Sequence, residues 1–179
     1  MKRDNRKDRE ECEEREDDQA QRTSRVWLPG TRPDSPLSAE GEWVMRQTIG
    51  AAISVHRSLG PGFLESIYRK AMCVELKNRA LPYEQERPIH VRYRGVEIPG
   101  QRVDLIVQSL IVVELKSVTR LDGVHRAQVI SYLRTTGLKG GLLINFFDGT
   151  NPNVSLRLTS YAAEGSRVRY DNFECTVGP

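Results

Sequence analysis

The sequence lacks the marks of a disulfide-bonded, membrane-spanning or strongly polybasic protein. Its three cysteines, Cys12, Cys73 and Cys175, are scattered and form no C-x-x-C pair, which indicates neither a disulfide framework nor a zinc site. No segment approaches the ~18 apolar residues of a membrane span, and the N-terminus has no apolar run of the signal-peptide kind. The formal charge of +3 is too small to argue by itself for a polyanionic partner. No internal repeat is visible, which removes solenoids and propellers. These absences leave a cytoplasmic protein with no membrane association as the expectation.

What is present fits one domain. A chain of 179 residues, 38% hydrophobic and 28% charged, is long enough for one proper core and short for two. The first twenty residues hold six basic and nine acidic side chains and almost nothing apolar. Such a segment buries too little surface to offset its ordering entropy, so it reads as disordered. A short solvated helix of Glu/Arg pairs, or a start codon further downstream, are the alternatives. The linker LPGTRPDSPLS follows, and its prolines end any helix. The expected organisation is a charged tail and Pro-rich linker over 1–37, a folded domain over 38–165, and a C-terminal tail over 166–179.

Within the domain the period of apolar residues changes along the chain. Val44, Thr48, Ala51, Ala52, Val55 and Leu59 lie on one helical face, with Ser38 as N-cap, Leu37 as staple and Gly60-Pro61 as the stop. A second helix runs from near Gly62 to about Arg79, with Leu64, Ile67, Tyr68, Ala71, Met72 and Leu76 along one stripe. Ile89, Val91 and Tyr93 then alternate with polar residues, and Arg94-Gly95 is a turn, so strand, turn, strand is expected. QRVDLIVQSLIVVELKSV reads as strands joined by a short loop. DGVHRAQVISYLRTTGLKG is a helix capped by Asp122 and stopped at Gly137. GLLINFF is a short buried strand, and SLRLTSY a terminal edge strand. The order α-α-β-β-β-α-β predicts a mixed α/β sandwich with two N-terminal helices and one crossover helix.

The stretch IVVELKSV raises a physical problem: a buried strand carrying Glu114 and Lys116, each costly to bury without a partner. Glu114 and Lys116 share one face, because side chains alternate along a strand. The preceding strand carries Asp104, and the loop length decides what stands opposite it. A loop of Gln108-Ser109 sets Asp104 across from Val113; a loop of Gln108-Ser109-Leu110 sets it across from Glu114. Only the three-residue loop collects Val103, Leu105, Val107, Ile111, Val113 and Leu115 on one face, opposite Arg102, Asp104, Ile106, Val112, Glu114 and Lys116. That register is the expected one, although the loop lacks the Gly or Asn such hairpins favour. Two carboxylates about 5 Å apart repel by roughly 3 kcal/mol at an effective dielectric near 20. A proton, the Lys116 ammonium or a divalent cation can relieve the repulsion. Oxygen ligands alone suit Mg²⁺ or Mn²⁺ better than zinc. A partly exposed ion pair on a sheet edge is the plain alternative.

Three stretches carry a resemblance. GPGFLESIY contains Gly62-x-x-Glu65-x-x-Tyr68, RVDLIV…VVELKSV contains Asp104 followed by Glu114-x-Lys116, and the next helix contains Gln128-x-x-x-Tyr132. Together, in this order, they resemble the GxxExxY proteins of the PD-(D/E)XK nuclease superfamily over about Ser38 to Phe147. Val103 stands where that superfamily usually has a proline before its first catalytic Asp. The resemblance implies a restriction-endonuclease-like α/β/α core with a mixed central sheet, and a metal-dependent phosphodiesterase acting on nucleic acid, DNA in the first place. By position it implies Asp104 and Glu114 as ligands of Mg²⁺ or Mn²⁺, with the Leu115 carbonyl as a third. It implies Lys116 as the residue that orients or activates the water and Glu65 as the group completing the metal site. Gln128 and Tyr132 are implied to position a phosphate or the site itself. A nucleic-acid-binding or partner-dependent module with the same fold, working with another protein or as a homodimer, is the alternative.

Each of these residues also has a plain structural role available. Gly60-Pro61-Gly62 serves as a helix–helix turn, Glu65 complements a helix dipole, and Tyr68 packs. Tyr132 serves as a core-edge aromatic on the same face as Gln128, and His125 lies at an exposed helix start. Arg120, Arg126, Arg134 and Lys139 cluster around the crossover helix and can meet a phosphate backbone, or simply form a solvated face.

Overall fold

The computed structural model describes residues 37–147, 156–164 and 167–175. The expected tail and linker, apart from Leu37, lie outside the described residues. Two helices come first: α1, Ala39–Leu59, and α2, Glu65–Asn78. They are followed by strands β1, Tyr83–Tyr93, β2, Val96–Val107, and β3, Ile111–Lys116, then by helix α3, Gly123–Thr136. The strands β4, Gly140–Asn145, β5, Leu156–Glu164, and β6, Arg167–Cys175, complete the order. No described helix is long and apolar enough to cross a membrane.

The helix ends follow local chemistry. Ser38 caps α1 by accepting the Gly41 amide at 3.1 Å, and Leu37 packs onto the core beside it. Asp122 caps α3 and accepts the Val124 amide, while Gly137, at φ 73°, closes it in the left-handed conformation. The second helix starts at Glu65 rather than Gly62, since Gly62 sits at φ 104° and Leu64 is extended. Tyr68, Met72 and Leu76 form its buried stripe, but Leu64 and Ile67 of the expected stripe stay exposed.

The six strands lie in one sheet in chain order, antiparallel except for β3 and β4. That single parallel pair is the one that α3 crosses, as parallel neighbours require. α1 and α2 cover one face with Leu105, Val107, Ile111, Val113, Leu115, Leu142, Ile144 and Phe146 beneath them. α3 covers the other over Ile106, Val112 and Leu143. It lies close to the sheet because Gly141 has no side chain: a Cβ there would stand 2.9 Å from Val129 and 3.2 Å from Leu133. This is the expected mixed α/β/α sandwich.

Four expectations change. VEIPG and QRVDLIV form one strand through Pro99 and Gly100, since β1 and β2 shift register between Ile89 and Val91 and absorb the extra residue. Val91 and Tyr93 are exposed, because the β1–β2 hairpin runs past the rest of the sheet. SLRLTSY is not the terminal strand, and residues 166–179 are not wholly a tail, since Arg167–Cys175 pairs with β5 along its length. The alternation of RVRYDNFEC breaks at Asp171-Asn172, so the apolar period alone does not mark this segment as one strand.

The fourth concerns β2. The expected three-residue loop is present, with Leu105 opposite Val113, Ile106 opposite Val112 and Val107 opposite Ile111. Gln108 and Ser109, at φ 55° and 54°, supply the left-handed turn without Gly or Asn. Val103, however, packs on the α3 side with Ile89, Ile106 and Tyr132, not with Leu105. The β2–β3 ladder ends at Leu105–Val113, so β2 is free to turn its side chains there. Opposite the turn, Glu86 of β1 has a left-handed backbone at φ 51°. The second face is therefore core as well, and charged only at its end.

Candidate active site

The parting of β2 from β3 creates the site. Beyond the last ladder pair the Leu115 amide has lost its strand partner, and the Asp104 carboxylate takes it, Oδ2 accepting at 2.9 Å. Its other oxygen, Oδ1, accepts from Arg69 of α2 at 3.1 Å. On β3, Glu114 is buried to 3% side-chain exposure and its Oε1 pairs with the Lys116 ammonium at 2.5 Å. Glu114 Oε2 is buried without a hydrogen-bond partner.

Burial first, and Asp104 next, push the Glu114 carboxyl up to about 7 against the pull of the Lys116 bond. Burial opposes the Lys116 charge, but the Glu114 bond and the surrounding carboxylates outweigh it and raise its pKa, so Lys116 is an ammonium donor and not a base. Burial also raises the Glu65 carboxyl; the charges of Lys116, Asp104, Arg69 and His125 act on it as well. Glu65 thus lies within electrostatic reach of the pair. Among the described residues, though, no three His, Cys, Asp or Glu side chains group closely enough to hold a metal ion by themselves.

The crossover helix covers the sheet face that Glu114 and Lys116 share with Val112, and it contributes from there. Tyr132 is buried, donates to the Arg102 carbonyl at 2.9 Å and accepts from Gln128 at 2.5 Å. Burial raises its phenol, the Gln128 bond lowers it, and the Glu114 and Asp104 charges raise it further, so it remains a donor. The pair therefore holds the β2 backbone two residues before Asp104. His125 accepts the Asp122 amide at 3.1 Å and completes the cap of α3.

The loop between α1 and α2 is fixed just as firmly. Tyr68 is buried and stacks on Phe146 with centroids 4.3 Å apart. Its hydroxyl donates to the Gly60 carbonyl at 2.6 Å and accepts the Phe63 amide at 3.2 Å. Ser117, next to Lys116, donates to the Phe63 carbonyl at 2.7 Å. Tyr68 packs and ties; it does not reach the carboxylates.

Sequence reasoning missed three participants. Arg69 bridges Asp104 and Glu86, Glu86 also meets Arg102 at 3.4 Å, and Asn145 holds Val118 by both its amide and its carbonyl. Arg69 had a signal, one helical turn after Glu65 on the same face. Glu86 had none, since nothing in a strand sequence foretells a left-handed glutamate.

A divalent cation fits the donors present. Asp104 and Glu114 offer hard oxygen ligands, the Leu115 carbonyl adjoins them, and the orphaned Glu114 Oε2 is a buried acceptor without a donor.

The family model of the PD-(D/E)XK nuclease superfamily matches residues 42–157. No curated protein matches the chain in sequence. Among solved structures, the chain is similar to that of SSO0001 at 19% identity and a TM-score of 0.37, covering 63% of this chain and 50% of that one. It is also similar to the alkaline exonuclease LHK-Exo from Laribacter hongkongensis at 13% identity and a TM-score of 0.31, covering 74% and 81% respectively. The chain thus spans half the length of the first of these.

Proposed function

The chain belongs to the PD-(D/E)XK nuclease superfamily, and on that premise we propose that it is a metal-dependent nuclease that hydrolyses phosphodiester bonds of DNA in the cytoplasm. Within the superfamily we assign it to the GxxExxY proteins on Gly62, Glu65 and Tyr68. The observation that carries the reading is the buried Glu114 Oε2, without a partner, beside Asp104 where β2 and β3 part. Asp104, Glu114 and the Leu115 carbonyl are the groups that would hold Mg²⁺ or Mn²⁺, with Glu65 closing the set. Bound there, the cation supplies Lewis-acid stabilisation of the negative charge that develops on the phosphate.

The chain's own residues do the rest. Lys116, kept protonated by the carboxylates around it, donates to the attacking water or to a phosphate oxygen as charge builds. The water oxygen bonds to phosphorus and gives up a proton to solvent, the P–O bond to the leaving sugar oxygen breaks, and that oxygen takes up a proton from solvent. No covalent enzyme intermediate is involved. Tyr132 and Gln128 keep Asp104 in place through the Arg102 backbone.

The test incubates the purified chain with single- and double-stranded DNA and with RNA, in Mg²⁺, Mn²⁺ or EDTA. Cleavage is expected with metal only, and to disappear in Asp104→Ala, Glu114→Ala and Lys116→Ala. Failure to cut any substrate with either metal sinks the reading. The ion pair between Arg69 and Asp104 favours a second one, a binding module that becomes active only with a partner. Salt-dependent DNA binding, without cleavage and unaffected by the three alanines, would support it.

A further inference from the structure

Asp104 is contacted from two independent directions. Its Oδ2 is anchored by the Leu115 amide, which no side-chain substitution removes. Its Oδ1 accepts from one guanidinium nitrogen of Arg69, while another nitrogen of the same group meets Glu86 at 3.2 Å. Arg69 and Asp104 are largely shielded, with side-chain exposures of 17% and 13%. Glu86 reaches Arg69 from a left-handed backbone in the middle of β1, at φ 51°, which a glutamate adopts only when its surroundings impose it. The strand thus holds an unfavourable conformation at the residue that draws the guanidinium.

We propose that Arg69, steered by Glu86, holds the place of a divalent cation at Asp104 and so sets the affinity of the site for that cation. The inference rests on the reading of Asp104 as a cation ligand. The positive charge of Arg69 offsets the charge of Asp104 in the cation-free protein, as Lys116 offsets Glu114, and a cation must displace Arg69 from Oδ1. Glu86 receives the guanidinium when it lets go. Glu86 is therefore a positioning residue acting through Arg69, and because the Leu115 amide still fixes Oδ2, loss of Arg69 leaves the ligand in place.

Calorimetric titration of the full chain with Mn²⁺, without nucleic acid, tests this on wild type, Arg69→Gln, Glu86→Gln and the double variant. Arg69→Gln is expected to bind Mn²⁺ more tightly by roughly tenfold, and Glu86→Gln to bind it more weakly by a similar factor. Through-space charge alone would make the two effects additive. Action through Arg69 requires the Glu86→Gln effect to vanish in the Arg69→Gln background. If Arg69→Gln does not fold, Arg69→Lys takes its place, since one ammonium cannot span both carboxylates as the fork does, and the Glu86→Gln effect must shrink there too. Unchanged or weaker binding by Arg69→Gln, or an undiminished Glu86 effect in the double variant, overturns the inference and leaves Asp104 as a ligand. Mn²⁺ binding by Arg69→Gln but not by wild type supports it; binding by neither overturns both readings.

Discussion

Asp104 Oδ2 accepts the Leu115 amide at 2.9 Å, one step past the last ladder pair of their two strands. A side chain has replaced a backbone carbonyl in the sheet, and the price of that exchange is a carboxylate fixed beside Glu114. Structure and chemistry meet at this bond.

It separates two substitutions that remove the same charge. Asp104→Asn keeps an oxygen able to accept the Leu115 amide, whereas Asp104→Ala leaves a buried N–H without a partner. Urea denaturation is expected to find the alanine variant less stable than the asparagine variant by about 1–3 kcal/mol. Both should lose cleavage by about 10²–10³-fold or more, as for removal of one electrostatic group.

Glu114 makes stability depend on pH. Its carboxyl is raised from 4.5 to about 7 by burial and by Asp104, so the folded state holds the proton more tightly than the unfolded chain. The contribution is fully present below pH 4.5 and is lost as pH rises to about 7. Its size is on the order of 3 kcal/mol. Denaturation at a series of pH values without metal should show this decline in wild type and not in Glu114→Gln. An equal slope in both would show that another group titrates there.

Tyr132→Phe deletes the bond to the Arg102 carbonyl and leaves the ring in place. A stability loss of about 1 kcal/mol is expected from chemical denaturation. If the bond positions Asp104, Mn²⁺ affinity in the same variant must also fall.

Arg120, Arg134 and Lys139 stay exposed around α3. If DNA runs along this helix, replacing any one with Gln should reduce the salt slope of binding by about one unit. An unchanged slope in all three would place the DNA elsewhere.

Much of this molecule is legible from local chemistry. Ser38, Asp122 and Gly137 bound their helices by capping, an interaction within a few residues. The β2–β3 register follows from segregating apolar side chains, because a one-residue slip inverts every face. That register brings Asp104 to the end of the ladder beside Glu114 and Lys116, and the parting of the two strands there completes the arrangement. The chain does not announce Arg69–Asp104 or Tyr132–Arg102, whose partners lie 35 and 30 residues apart.

The sequence by itself determined the α/β order, the caps, the strand register and the meeting of two carboxylates with a lysine, since each depends on period or on near neighbours. Only the tertiary structure decided where β2 leaves its ladder, that Val103 changes face there, and that Glu86 turns left-handed to hold Arg69. Those outcomes depend on helices packed against both faces of the sheet, and the burial that unites distant segments leaves no periodic trace in the chain.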